Sequence, residues 1–180
     1  MNNQSAKPTV EQLINGSAKD IRGIMIENAV EIERMMEYYI GKCFCRTEEK
    51  ITEMIMLIIA PMQFTQKKEL FMFLITSHNK KFLNKHKSIL SSAGSVIKHR
   101  NIFAHWSVDY SSIAEDDFVK KQVLHFVKLK RSDKAKIRKD LLYPDKETYS
   151  EKKINALIKE SVDLNNCLRE LLKWTNAPSK

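Results

Sequence analysis

The sequence predicts an all-α protein: an antiparallel four-helix-type bundle with a small β-hairpin inserted before the last helix. Three observations carry that expectation. Only four Gly and four Pro occur in 180 residues, too few turn formers for a many-stranded sheet. Apolar residues recur at three- and four-residue steps over several long stretches, the period of a helix face. β-branched and aromatic residues concentrate in one window, from Ser107 to Lys130, ahead of the final stripe. The length fits one domain, and 43% hydrophobic with 29% charged residues is a globular composition, able to bury a core without staples.

Residues 1–8 read as a disordered tail, and 9–176 as one domain. Thr9, with Gln12 three residues on, is placed to cap a long first helix. Ile21, Ile24, Met25, Ile32, Met35, Met36 and Tyr39 form its apolar stripe, and Gly41 is the expected stop. Thr47 with Lys50 opens a second helix. It is apolar nearly all round (Ile51, Met54 to Ile59), a pattern that suits the centre of a bundle, and Pro61 ends it. A third helix is expected over Lys67–Ser77. A fourth runs from Lys80 to about His105, with Phe82, Leu83, Ile89, Leu90, Ala93, Val96, Ile97 and Ala104 inside and Gly94 as a weak point. The insertion, 107–145, holds a two-stranded hairpin from Val108-Asp109-Tyr110 and Val123 to Leu129, then a basic connector with Pro144. Thr148 with Glu151 makes a capping box for the last helix, whose stripe runs from Ile154 to Leu172.

The charge is uneven. Between Val119 and Lys139 nine Lys and Arg face one acid, Asp133, and Lys80, Lys81, Lys85 and Lys87 form a smaller cluster, within a net charge of +9. Such clusters suit a polyanion such as RNA, or simply a solvated lysine-rich surface. Three cysteines, Cys43, Cys45 and Cys167, form no disulfide framework, and the spacing of Cys43 and Cys45 does not suit zinc. The polar N-terminus has no signal-peptide core. The longest apolar run, Met54 to Met62, falls well short of the about 20 residues a bilayer span needs. The expected place is the cytoplasm, with no membrane contact. No phosphate loop, nucleophile elbow or zinc-protease motif occurs, and no cofactor or metal is expected.

One stretch carries chemistry: Lys98-His99-Arg100-Asn101-Ile102-Phe103-Ala104-His105-Trp106. On a helix Asn101 and His105, four apart, share a face, and the long Arg100 side chain can swing to join them while Ile97, Ile102 and Ala104 pack inward. The trio suits RNA phosphodiester cleavage. Histidine can take the proton of a ribose 2′-hydroxyl, arginine can stabilise the charge on phosphorus, and asparagine can orient either. No metal is required, because the nucleophile belongs to the substrate. An Arg and a His near a helix end also simply suit the dipole there. Lys98 and His99 are either phosphate contacts or ordinary surface residues. Trp106 is either a base-stacking platform or a core anchor. Glu27 and Glu31 either orient Arg100 or form a salt-bridged face.

Arg100, Asn101 and His105, at the end of a late helix in an all-helical setting, resemble the Arg-x4-His signature of the HEPN superfamily of small helical ribonucleases. The resemblance implies a homodimer whose two motifs face one cleft, with metal-independent endoribonuclease activity on RNA. In it Arg100, Asn101 and His105 are catalytic, and Lys98, His99 and Trp106 are candidate RNA contacts. Relatives serve in toxin–antitoxin, abortive-infection and other phage-defence systems, which implies an antitoxin or a neighbouring-gene partner. Others are non-catalytic RNA- or nucleotide-binding or dimerisation modules, the alternative reading here. In HEPN toxins paired with a minimal nucleotidyltransferase a Tyr falls two residues after the motif histidine. Ser107 takes that place in this chain, which counts against a Tyr-modifying antitoxin.

Overall fold

The computed structural model describes residues 10–108, 123–128 and 145–175. The tail, the Thr9 cap, Asp109, Tyr110, Leu129, Pro144 and the basic run apart from the Lys128 backbone lie outside the described residues. The described chain is mostly helical. In order it runs through α1 (Val10–Phe44), α2 (Glu48–Met54) continuing into a π-helical turn (Ile55–Ile59), α3 (Phe64–His78), α4 (Lys80–Ser91), α5 (Ala93–His105), strands β1 (Ser107–Val108), β2 (Val123–Lys128) and β3 (Asp145–Ser150), and α6 (Glu151–Thr175). No described helix is long and apolar enough to cross a membrane.

The sequence reads as one domain, and by its contacts the chain clusters into two compact units. The first takes residues up to Ile26 and His99–Ile158. The second takes Glu27–Lys98 and Lys159 onward.

In the first unit the three strands pair antiparallel in the order β1-β2-β3. The expected hairpin is therefore present, with Val108 opposite Phe126, and a third strand extends it, with Leu124 opposite Tyr149. These four residues are buried and face one side, the period-2 rule of a strand. They pack with Ala18 and Met25 of α1, Ile102 and Phe103 of α5, and Ile154 and Leu157 of α6. Three rings form its centre: Phe103 meets Phe126 edge-on at 5.0 Å and Tyr149 at 4.9 Å. Thr148 does not cap the last helix. It is paired opposite His125 within β3, and the Ser150 hydroxyl accepts from the Lys153 backbone instead. The strand took the residue that the capping pattern claimed.

The second unit has a mixed aliphatic and aromatic helical core of α1, α3, α4, α5 and α6 residues, including Ile32, Met36, Tyr39, Phe71, Ile75, Phe82, Val96, Leu168 and Leu171. Thr47 caps α2 by accepting from the Lys50 backbone, as its sequence predicts. Gly41 does not stop α1, which continues to Phe44. It is a close-approach position: a Cβ there would lie 3.0 Å from Ile51 Cγ2. α2 is not central either. Of its apolar run only Ile51 and Ile59 are buried, whereas Met56, Leu57 and Ile58 are 70%, 76% and 57% exposed. A helix packed on one side cannot bury every face, and the wider π turn shows the middle of the run to solvent. The expected fourth helix divides into α4 and α5 at Ser92. There the Ser91 and Ser92 hydroxyls donate back to the Ser88 and Ile89 carbonyls, competing with the helix ladder. His86, at φ −116° and ψ 17°, adds a kink inside α4.

Three polar residues, Lys67, Ser161 and Asn165, are buried in this unit with partners. The Lys67 ammonium is held between Glu33 and Glu37, at 2.6 Å from each. Asn165, 5% exposed, donates to Asn28 and Glu31, and Asn28 donates to buried Ser161.

Candidate active site

α5 ends in the predicted stretch, and its burial pattern separates two faces. Ile102 and Phe103 are buried, while Asn101, Ala104 and His105 are exposed and Arg100 is half-buried. At 100° per residue, Arg100, Ala104, Asn101 and His105 occupy one continuous arc, opposite Phe103. The expectation that Ala104 packs inward is therefore overturned. Phe103 fills that role, and Ala104 places only a methyl group on the arc that carries the polar residues.

Arg100 and Asn101 are joined: the guanidinium Nη1 donates to Asn101 Oδ1 at 3.0 Å. His105 takes no part in that bond. Among the described residues it has no hydrogen bond or ion pair, and its imidazole is open to solvent. The helix thus supplies an arginine with its geometry fixed by a neighbouring amide, and a titratable ring one turn beyond that amide on the same exposed face. A guanidinium held this way presents its remaining N–H groups as a fork for phosphate oxygens.

The neighbours of this stretch divide between the alternatives left by the sequence. Lys98 is exposed. His99 is turned the other way: its Nδ1 lies 2.8 Å from the Tyr149 hydroxyl, with the rings edge to face at 5.7 Å. Burial pushes the Tyr149 phenol well above the ordinary tyrosine range, and the charge of Glu147 adds to the shift. The phenol keeps its proton at neutral pH and shares a hydrogen bond with Nδ1 whose direction follows the imidazole tautomer. Trp106 is half-buried and packs against the aromatic core, the anchor role of the two proposed for it. Its carbonyl accepts from Arg22 Nη2 at 2.7 Å, and the same guanidinium lies over the Phe126 ring at 5.5 Å. Glu31 is ion-paired with Arg169, the salt-bridged alternative, and Arg100 has its partner in Asn101.

Sequence reasoning missed Tyr149 and Arg22, the two residues that tie α5 to the sheet and to α1. Tyr149 had a weak signal, being the one aromatic residue in an otherwise polar strand. Arg22 had none beyond its place on α1. Among the described residues no three His, Cys, Asp or Glu side chains gather in a way that could hold a metal ion.

No family model matches the chain, and no curated protein or solved structure matches it either.

Proposed function

We propose that the chain is a HEPN-like, metal-independent endoribonuclease that acts as a homodimer of four-helix-type bundles. The observation that carries this reading is the exposed arc of α5. It presents Arg100, Asn101 and His105 to solvent, while the opposite face of the same turns is locked into the aromatic core.

The chemistry follows from the side chains. The 2′-oxygen attacks the adjacent phosphorus, and His105 takes its proton. Arg100, braced by Asn101, neutralises charge developing on the non-bridging oxygens. The bond from phosphorus to the 5′-oxygen breaks, and a protonated imidazole, from His105 of one copy or the other, returns a proton to the leaving oxygen. The products are a 2′,3′-cyclic phosphate and a 5′-hydroxyl. A homodimer brings two copies of each side chain to one cleft, which supplies the acid and the base that a single His105 cannot be at once. Cellular restraint by a partner, as in toxin or phage-defence pairs, belongs to the same proposal.

The test is digestion of single-stranded RNA in EDTA by the wild type and by His105→Ala and Arg100→Ala. Loss of cleavage of about 10²-fold or more, with the helical signal unchanged, supports the assignment. Equal cleavage by all three removes it. The second reading, a non-catalytic RNA-binding or dimerisation module, is favoured by one feature: the Arg100 guanidinium is bonded to Asn101 and not to His105. Salt-sensitive RNA binding without cleavage would select it.

A further inference from the structure

The second unit carries an aromatic and basic surface that the motif does not explain. Trp174, near the end of α6, is 48% exposed. Its ring meets Phe82 edge-on at 5.5 Å, and Phe82 in turn stacks on His86 at 4.4 Å. Phe82 is fully buried, so it braces the indole from behind. One turn before Trp174 on α6, Glu170 holds Lys85 at 3.0 Å and faces His86 at 3.5 Å. Lys81 lies one turn before Lys85 on the same exposed face of α4. α4 carries four lysines and no acid.

We propose that Trp174 and the lysine face of α4 form a docking platform for single-stranded RNA, in which a base stacks on the indole and the flanking phosphates lie along Lys81 and Lys85. The proposal rests on RNA being the ligand of this chain, and it concerns a surface separate from the Arg100 motif. The combination of an exposed, braced tryptophan with a row of cations is what sequence-tolerant single-strand binding requires, since every base offers a π face and every nucleotide a phosphate. The centre of a protein-binding patch is depleted of charge, whereas Lys85, His86 and Glu170 gather here around the Phe82–Trp174 pair. Glu170 is the one acid in the group. The bond from Lys85 holds its carboxyl below the usual range, and His86 adds to that. It therefore stays charged, parks Lys85 and opposes a phosphate at that point.

The experiment uses 2′-O-methyl oligouridylate, which lacks the attacking hydroxyl and cannot be cut by the chemistry above. Binding is thus read whether or not the chain is a nuclease. With Trp106→Phe, Trp174 is the one remaining tryptophan. The expected result is saturable quenching of its fluorescence. Trp174→Ala in the otherwise native chain should weaken binding about tenfold or more. Each of Lys81→Ala and Lys85→Ala should lower the salt slope by about 0.7. Glu170→Gln should tighten binding. Unchanged affinity in Trp174→Ala would overturn the proposal. So would quenching that follows protein concentration without RNA, which would assign the surface to a second copy. Cleavage of ordinary RNA lost only in His105→Ala, with no binding defect in Trp174→Ala, would leave the nuclease standing and remove the platform.

Discussion

The two units both bury rings and differ in where they keep their charged and polar groups. The first buries rings: Phe103, Phe126 and Tyr149 meet within 5.6 Å of one another, and cations are confined to their faces, with Arg22 over Phe126 and Lys153 over Tyr149. The second also buries rings, Tyr39, Phe71 and Phe82, but spreads them among aliphatic chains and closes ion pairs and amides inside the core, with Lys67 between two glutamates and Asn165 against Asn28. The difference bears on function. An aromatic core with one hydrogen-bonded phenol fixes the rotation of α5, and that rotation decides which of its residues face solvent. A core laced with ion pairs fixes helix register and places no demand on the motif face.

The largest expected effects probe the centre of each core. Phe103→Ala should cost about 3–5 kcal/mol in urea unfolding, because it empties the contact shared by β2, β3 and α5. Lys67→Met should cost about 3 kcal/mol, since it leaves two partly buried carboxylates facing each other without their cation. Burial alone would lower the Lys67 ammonium, and the two glutamates more than offset it, so its pKa is raised and the charge persists. A small cost for Lys67→Met would mean that the ion pairs set register without stabilising the fold.

An alkaline titration compares the units through one buried tyrosine in each. Burial pushes Tyr39 up to about 12, although the bond from Asn79 pulls the other way, and Tyr149 is pushed further still. In the unfolded chain both ionise near the ordinary tyrosine value of 10.0. Each folded value is raised, so stability is level below pH 10 and falls as pH rises towards and through the folded values. Absorbance at the tyrosinate band against circular dichroism should show Tyr39 and Tyr149 ionising only as the helices melt. Early ionisation of all five, with the helices intact, would deny both burials.

Smaller effects sharpen the same contrast. Tyr149→Phe removes the bond to His99 and should cost about 1 kcal/mol, while the packing of the ring is kept. Two of the three α1 glycines should part company. At Gly23 a Cβ meets nothing within 4 Å, so Gly23→Ala should stabilise by about 0.5–1 kcal/mol. At Gly41 the Cβ would press on Ile51, so Gly41→Ala should gain less or lose stability. Thermal melts of the two variants decide it.

What the sequence made legible follows from how local each signal is. The helix start at Glu48 behind its Thr47 cap and the end before Pro61 rest on neighbours in the chain, and the structure has them, together with antiparallel pairing of the two expected strands. Gly41 was misread because its role depends on Ile51 approaching from another helix. The apolar run Met54 to Ile59 was misread because composition does not say which side is covered. β3 was missed because Tyr149 is the one apolar side chain in Asp145–Ser150, too little for an alternation. The exposed face of Arg100, Asn101 and His105 followed from the 100° step alone. Ala104, expected inside, faces solvent and Phe103 is buried, because that step fixes the faces relative to each other and packing fixes which one turns inward. The brace of His99 by Tyr149 was out of reach, since it joins residues 50 apart in the chain.

The most direct measurement is cleavage of single-stranded RNA by the purified protein in EDTA, with His105→Ala alongside and the fragment ends identified. The account predicts fragments ending in 2′,3′-cyclic phosphate from the wild type, and a loss of about 10²-fold or more in the variant at unchanged helicity. Intact RNA with both proteins, or equal cleavage by both, would contradict it.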